Sequence, residues 1–231
     1  MPPLRFLYLD EHLVAIDKPA GMIVHPGREA EGPEWIAMKR VRDELGQEVQ
    51  VVHRLDRPTS GVLLFARDKA TCAIIQQTFE QRRVKKTYLA VVEGEASLGW
   101  RCDTPLRKAP EEPLVNAETE FERLLHAAKG SFVGMPSLKL SLLEARPHTG
   151  RFHQIRRHLD LAGHPIVGDY RYAGADRCNE VGEALGTGTR MLLQAKSLEL
   201  AHPYSGVMLR IEAPPDEDFC RCFPELALET A

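Results

Sequence analysis

The sequence of 231 residues contains little that would place the protein in or across a membrane. Residues 1–5 lack the basic start and the long apolar run of a signal peptide. No apolar stretch approaches the roughly 20 residues needed to span a bilayer. The five cysteines are scattered and odd in number, which favours reduced thiols over a disulfide framework. We therefore expect a cytoplasmic protein without a membrane partner.

The usual signatures of metal and nucleotide sites are also missing. Cys220 and Cys222 form a single C-x-C without a second pair, so zinc is not indicated. His153 and His158 are five residues apart, which differs from the i, i+4 spacing of a zincin helix. No glycine-rich phosphate loop follows a predicted strand, and no serine occupies a nucleophile elbow. We therefore predict neither a metal nor a cofactor. By elimination, a carboxylate supported by arginine is the best-equipped chemistry.

Charge is distributed unevenly, although the net charge is only −3. Residues 146–158 carry four arginines and three histidines without a carboxylate, and residues 82–86 add four more cations. By contrast, residues 212–231 hold six acidic residues and one basic residue. Local positive surfaces suit nucleic-acid binding, because phosphates respond to the local field rather than to the net charge. For residues 82–86, a solvated helix end is an equally good interpretation.

The apolar pattern predicts an α+β protein with a mixed, mostly antiparallel central sheet flanked by helices. Strands are predicted at residues 4–9, 13–17, 49–52, 62–66, 87–92, 138–144 and 191–200. Helices are predicted at residues 35–45, 68–83 and 149–162. The glycine-rich segment 171–190 is expected to be a flexible loop.

Two of these helices have N-cap candidates. Asp68 is expected to cap the second helix and Thr149 the third. The residues expected to face the core are Ala73, Ile74 and Phe79 in the second helix and Phe152, Ile155, Leu159 and Ala162 in the third.

Asp56 is the candidate catalytic carboxylate. It lies in the polar segment 53–61, His-Arg-Leu-Asp-Arg-Pro-Thr-Ser-Gly, between two apolar predicted strands. Catalytic groups are often found on such loops, because the strands fix them while the loop exposes them. Spacing alone leaves a second interpretation open, in which Asp56 pairs with Arg54 or Arg57 and only shapes a turn.

Arg156 is the second candidate. Helical spacing places it at the edge of the apolar stripe, and its permanent charge requires a carboxylate or a phosphate partner. Arg151, His153 and Arg157 lie on other faces, where they are available to an RNA backbone. Alternatively, the Arg156 side chain extends out to water.

Four segments together resemble the RluA-type pseudouridine synthases. In family order, K-P-x-G corresponds to residues 18–21, H-R-L-D-x-x-T-S-G to residues 53–61, the strand tyrosine to Tyr88, and T-G-R-x-H-Q-[IL]-R-x-H to residues 149–158. The resemblance implies the pseudouridine synthase catalytic fold with a central cleft. It implies a single catalytic domain over residues 1–231, made of two closely packed subdomains and without an N-terminal S4-like domain.

The resemblance also implies an isomerase that converts uridine to pseudouridine without a cofactor. Asp56 corresponds to the catalytic aspartate, which either attacks C1′ or removes the 2′ proton. Tyr88 corresponds to the residue that stacks on the flipped base, and Arg156 to the arginine that pairs with the aspartate. Arg54 corresponds to the side chain that fills the space left by the flipped uridine.

The predicted partner is RNA. The residues expected to contact it are His53, Arg54, Arg57, Thr59, Lys86, Arg151 and His153. The segments 56–59 and 156–158 resemble most the group that modifies uridine 65 in the T stem of transfer RNA, and we expect a monomer. Ribosomal RNA is the alternative substrate. A non-catalytic RNA-binding relative and a metal-dependent hydrolase are alternatives of other classes.

Overall fold

The computed structural model describes residues 3–26, 32–127, 132 and 134–229. The strands assigned there are β1 (Arg5–Leu9), β2 (Leu13–Lys18), β3 (Gln50–Val51), β4 (Ser60–Ala66), β5 (Lys85–Glu93), β6 (Gly99–Cys102), β7 (Thr119–His126), β8 (Leu140–Pro147), β9 (Leu193–Ala201) and β10 (Met208–Glu212). The helices are α1 (Ala37–Leu45), α2 (Lys69–Glu80), α3 (Gln154–Leu161), α4 (Ala175–Leu185) and α5 (Glu217–Cys222), with short 3-10 helices at Pro33–Trp35 and Pro224–Glu229. Within these described ranges, no helix has the length and apolar character needed to cross a membrane.

The first of two compact units comprises Met1–Lys86 and Ala195–Ala213. In it, β2 pairs antiparallel with β1 and with β4, β3 pairs antiparallel with β4, and β10 pairs antiparallel with β9. All seven residues of β4 are buried, which agrees with its continuous apolar run. Helix α2 packs Ile75 into the same apolar cluster as Leu64. Each such side chain contributes about 1.5–3 kcal/mol through its burial.

The second compact unit comprises Thr87–Gln194 and Pro214–Ala231. Its strands pair antiparallel in the order β5-β8-β7-β6. Alternation along β5 fills two cores: Leu89 packs in one cluster and Ala90 in another. Residues of α4 and α5 belong to the first cluster, and residues of α3 belong to the second. The sheet of this unit therefore holds α3 on one face.

The predicted α+β class with a mostly antiparallel sheet is confirmed. All seven predicted strands overlap observed strands, whereas β6, β7 and β10 were not predicted. That residues 1–231 form one catalytic domain stays a prediction.

The prediction of a flexible loop at residues 171–190 is wrong, because this segment contains α4. The helix buries Cys178, Val181 and Leu185, at spacings of three and four residues. The glycines of this segment obscured that apolar stripe in the sequence.

Two details of the predicted helices are also wrong. In α2, Asp68 caps the helix by accepting the Thr71 amide at 2.8 Å, as predicted. However, Ala73 and Ile74 are exposed, and Ile75 faces the core instead. Helix α3 begins only at Gln154 and has no side-chain cap.

The two residues assigned to the start of the third helix have other surroundings. Phe152 precedes α3, and 42% of its surface is exposed. The Thr149 hydroxyl donates to the Gln154 Oε1 at 2.6 Å instead of capping the helix. The buried pair Ile155 and Leu159 was predicted correctly.

Gly61, near the start of β4, gives a first prediction. Its φ is +99°, and a Cβ added there would lie 2.2 Å from the Ala195 carbonyl oxygen. Gly61→Ala is therefore expected to lower the free energy of unfolding by about 2–4 kcal/mol, measured by urea denaturation. Gly206→Ala is the matched control, because its φ is +71° and no atom lies within 4 Å of its added Cβ. The control is expected to lose only about 1 kcal/mol. Equal losses in both variants would contradict the steric argument.

Candidate active site

Asp56 lies on the segment between β3 and β4, in the first compact unit. It is half-buried, and its neighbours Arg54 and Arg57 are exposed. Leu55 and Thr59 are buried, with 8% and 2% of their surfaces exposed, and therefore anchor the loop from within. The Thr59 amide donates to the Asp56 carbonyl at 3.0 Å, which closes a tight turn. The loop thus exposes its two arginines and leaves Asp56 partly accessible, on a backbone that is held on both sides of Asp56.

A buried lysine fixes this loop. Lys18, at the end of β2, has no exposed surface. Its Nζ donates to the carbonyls of Pro19 at 2.9 Å, Met22 at 2.8 Å and Arg57 at 3.2 Å. The Gly21 amide donates to the same Arg57 carbonyl at 2.8 Å. The Lys-Pro-Ala-Gly turn is therefore joined to the residue that follows Asp56.

His53 anchors the start of the loop through contacts with β4 and α2. Its Nε2 accepts the Leu64 amide at 3.0 Å, and its ring stacks on Phe79 with the centroids 5.0 Å apart. Burial, and then the charge of Lys86, lower the pKa of His53 to about 3. The ring is therefore neutral at physiological pH, with its proton on Nδ1, because Nε2 acts as an acceptor. Contact between His53 and RNA stays a prediction.

Lys86 is the second perturbed group in this unit. Burial, followed by the charge of Arg82, lowers the pKa of Lys86 to about 8. A fraction of the lysine side chains is therefore neutral near pH 8. A nearby phosphate would favour the charged form.

Arg156 lies in the second compact unit and is buried. The alternative prediction, that its side chain extends out to water, is therefore wrong. Its Nε and Nη2 donate to the two carboxylate oxygens of Asp169, each at 2.7 Å. The guanidinium also lies over the Tyr172 ring, 5.2 Å from its centroid. The predicted need for a carboxylate is confirmed by Asp169. Pairing between Arg156 and Asp56 stays a prediction.

His153 positions Arg156 from a left-handed backbone conformation, with φ 51°. Its Nε2 lies 3.1 Å from Arg156 Nη1, and its Nδ1 lies 3.1 Å from the Tyr172 hydroxyl. Arginine only donates, so Nε2 accepts and Nδ1 carries the proton. Phe152 stacks on the same imidazole, with the centroids 3.7 Å apart. The neutral ring thus links Arg156 to Tyr172.

Gln154 and His158 form a buried chain of hydrogen bonds. Gln154 Nε2 donates to Thr119 Oγ1 at 2.9 Å, and Thr119 Oγ1 lies 3.0 Å from His158 Nδ1. His158 Nε2 lies 3.1 Å from the Thr104 carbonyl, to which it must donate. Burial lowers the pKa of His158, so its ring is neutral. These two motif residues therefore hold α3 in place.

The other predicted site residues of this unit have structural contacts. Tyr88 is half-buried on β5, opposite Ala145 of β8. Arg151 Nε donates to the Asn116 carbonyl at 3.0 Å, and Arg157 Nη1 donates to the Arg107 carbonyl at 2.7 Å. These two arginines thus tie the segment before β7 to α3 and to the turn that precedes it. Their contacts with RNA stay predictions.

Asp169 and Tyr172 were not assigned roles from the sequence. A buried Arg156 requires a carboxylate, but the sequence offers many, and only the fold selects Asp169.

Glu118, Glu120 and His148 also lie close enough to hold a metal ion, with their ligand atoms within 4.8 Å. Arg101 already forms an ion pair with Glu118, at 2.9 Å. This group therefore has a protein cation as a partner.

Comparison with known proteins identifies relatives over most of the chain. Residues 12–161 match the family model described as RNA pseudouridylate synthase. The tRNA pseudouridine synthase C of Yersinia pestis is 36% identical over 228 residues, which cover 93% of this chain and 87% of the relative. The enzyme of the same name from Pectobacterium carotovorum subsp. carotovorum is 38% identical over 221 residues. That match covers 91% of this chain but only 58% of the relative.

Two solved human structures share the fold. They are RNA Pseudouridylate Synthase Domain Containing 4, with a TM-score of 0.73 and 24% identity, and RNA Pseudouridylate Synthase Domain Containing 1, with a TM-score of 0.72 and 23% identity. The matches cover 96% and 93% of this chain, and 93% and 86% of those chains. The α+β architecture is thus that of a pseudouridylate synthase domain. The chain belongs to the RNA pseudouridylate synthase family and is therefore an enzyme of the isomerase class.

The Arg156 and Asp169 pair gives a second prediction. Asp169→Asn leaves a buried guanidinium without its countercharge, and we expect a loss of about 3–5 kcal/mol in unfolding free energy. Asp176→Asn, at an exposed carboxylate in the first turn of α4, is the matched control. Urea denaturation is expected to show a loss below about 1 kcal/mol for this control. A small loss at Asp169 would show that the ion pair is not needed to compensate the buried charge.

His53 gives a third prediction, on pH dependence. The unfolded chain binds a proton at its ordinary pKa of 6.5, whereas the folded ring binds one only near pH 3. The contribution of the neutral ring is therefore fully present above pH 6.5 and declines as the pH falls towards 3. The decline is at most about 1.4 kcal/mol per pH unit. His53→Gln, which keeps an acceptor for the Leu64 amide, is expected to flatten the fall of unfolding free energy between pH 6 and about pH 4. An unchanged slope would exclude His53 as its source.

Proposed function

We propose that this protein isomerises uridine to pseudouridine in transfer RNA, with Asp56 as the catalytic residue. The observation that carries the proposal is the anchoring of residues 53–61. The buried Lys18 ammonium binds the carbonyl of Arg57, the residue that follows Asp56. Family membership supplies the reaction, and two relatives are named tRNA pseudouridine synthase C.

The reaction rearranges one nucleoside. The C1′–N1 bond breaks, the base turns, and a C1′–C5 bond forms. N1 gains a proton and C5 releases one, so the atoms balance without an oxidant or a reductant. A carboxylate suits both available routes: it attacks C1′ as a nucleophile, or it removes the 2′ proton to give a glycal.

The other roles follow from the resemblance. Tyr88 is proposed to stack on the flipped base, and Arg54 to fill the space that the uridine leaves. Arg156 is proposed to pair with the catalytic aspartate. Its bidentate bond to Asp169 and its contact with His153 support this role, because they leave the guanidinium little freedom to rotate. His53, Arg57, Lys86, Arg151 and His153 are proposed to contribute to RNA binding, and Thr59, which is buried, to support it by anchoring the loop.

Transfer RNA is the proposed substrate because the sequence relatives carry that substrate in their names. Within transfer RNA, uridine 65 is proposed from the resemblance of residues 56–59 and 156–158. We propose a cytoplasmic enzyme, since its substrate is found there.

Release of tritium from uridine labelled at C5 tests this function. Asp56→Asn is expected to slow release from a transfer RNA transcript at least about a thousandfold, because the amide can neither attack nor accept the proton. Asp43→Asn, at an exposed carboxylate of α1, is the matched control and should keep the full rate. Near-normal turnover by Asp56→Asn would refute the catalytic assignment.

Two further substrates locate the reaction. A transcript with cytidine in place of uridine 65 is expected to release no tritium. A large-subunit ribosomal RNA transcript is likewise expected to be inert. Release from the ribosomal transcript alone would overturn the transfer RNA assignment and leave the isomerase assignment intact.

A further inference from the structure

Arg82, two residues after the end of α2, has a backbone conformation that most side chains avoid. Its φ of 57° lies in the left-handed region. The Arg82 amide donates to the Phe79 carbonyl and the Arg83 amide to the Thr78 carbonyl, both at 3.0 Å. This pair of bonds defines a Schellman motif, in which the left-handed position is usually glycine. The arginine side chain is therefore present although it destabilises the turn.

Residues 82–86, which we call the basic turn, form a surface of positive charge. Arg82, Arg83 and Lys85 are exposed. Within the part of the chain that the structure describes, neither Arg82 nor Arg83 forms an ion pair. Lys85 lies 3.8 Å from Glu199, with 80% of its side chain exposed, so this pair is weak. Exposed cations that lie near one another in the chain and lack a strong countercharge favour an anionic ligand.

The basic turn adjoins the loop that carries Asp56. Phe79, whose carbonyl accepts the Arg82 amide, stacks on His53. The charge of Lys86 acts on the same imidazole, since it contributes to the lowered pKa of His53. His53 lies three residues before Asp56. A polyanion that presents a nucleotide to Asp56 would therefore bring its flanking phosphates close to the basic turn.

We propose that the basic turn binds the phosphate backbone of the RNA beside the target uridine, with Arg82 as its principal contact. This inference rests on the proposed function, because it takes RNA as the substrate. Phosphate contacts orient a nucleic acid without reading its sequence, and RNA stems are recognised through their backbone geometry. A guanidinium binds phosphate through two parallel hydrogen bonds, which glycine lacks. The strained backbone and the exposed charge then have one explanation.

Arg82→Gly separates stability from RNA binding. Relief of the left-handed strain predicts a urea midpoint equal to or above that of the unaltered protein. Loss of one phosphate contact predicts binding of an unmodified transfer RNA transcript that is about five- to tenfold weaker at about 0.1 M salt. The slope of log Kobs against log salt is expected to decrease in magnitude by about 1. Fluorescence anisotropy over a salt series measures both, with Asp56→Asn present in every variant so that the RNA is not converted.

Two variants control for charge and position. Arg82→Lys keeps the charge and is expected to retain the salt slope. Lys69→Ala removes an exposed cation at the other end of α2 and should change neither the affinity nor the slope. The inference would be overturned by an Arg82→Gly protein with unaltered affinity, by a lowered urea midpoint, or by an equal loss of affinity in Lys69→Ala.

Tritium release by the unaltered enzyme on the same transcript tests the proposed function separately. No release would refute that function. Normal release together with unaltered binding by Arg82→Gly would refute only the role of the basic turn.

Discussion

One buried ammonium group fixes the loop on which the proposed chemistry depends. Lys18 Nζ donates to the carbonyls of Pro19, Met22 and Arg57, and the whole residue is excluded from solvent. Taking an ion out of water carries a penalty of several kcal/mol, so the charge is tolerated only where oriented dipoles replace its hydration shell. Carbonyls on different sides of a compact ammonium achieve this, whereas a planar guanidinium would match them poorly. The lysine of the Lys-Pro-Ala-Gly turn is thus required by the Asp56 loop.

The same principle organises the second compact unit, with an arginine in place of the lysine. Arg156 is compensated by the buried carboxylate of Asp169, and the neutral ring of His153 holds one of its remaining donors. The polar side-chain atoms of Gln154 and His158 form hydrogen bonds inside the protein, with Thr119 and with backbone groups. The motif residues therefore divide into two sets. Some position the backbone and the charges, and the others are those proposed for chemistry or for RNA binding.

The sequence predicted local features well and long-range partners poorly. The apolar pattern located β5 and β8, and an acidic cap located the start of α2, because both signals depend on neighbouring residues. The choice of Asp169 as the partner of Arg156 depends on the fold, since any carboxylate satisfies the same electrostatic need. The sequence predicted Ile74 on the inward face of α2, whereas Ile75 occupies that face in the structure. Two adjacent apolar side chains leave the orientation of the helix undetermined. Phe152 was assigned to a helix that begins after it, since the left-handed His153 has no signature in the sequence.

Two non-glycine residues have a left-handed φ among those that the structure describes, Arg82 at 57° and His153 at 51°. Each conformation carries a penalty of roughly 1–2 kcal/mol relative to the ordinary helical region, which glycine would remove. The hydrogen bonds of a Schellman turn hold Arg82, and contacts with Arg156 and Tyr172 hold His153. Strain of this kind persists where a particular side chain is needed, so it points to function without any appeal to relatives. It singles out the helix end beside the Asp56 loop and the residue that orients Arg156, which are the segments that the charge pattern indicated.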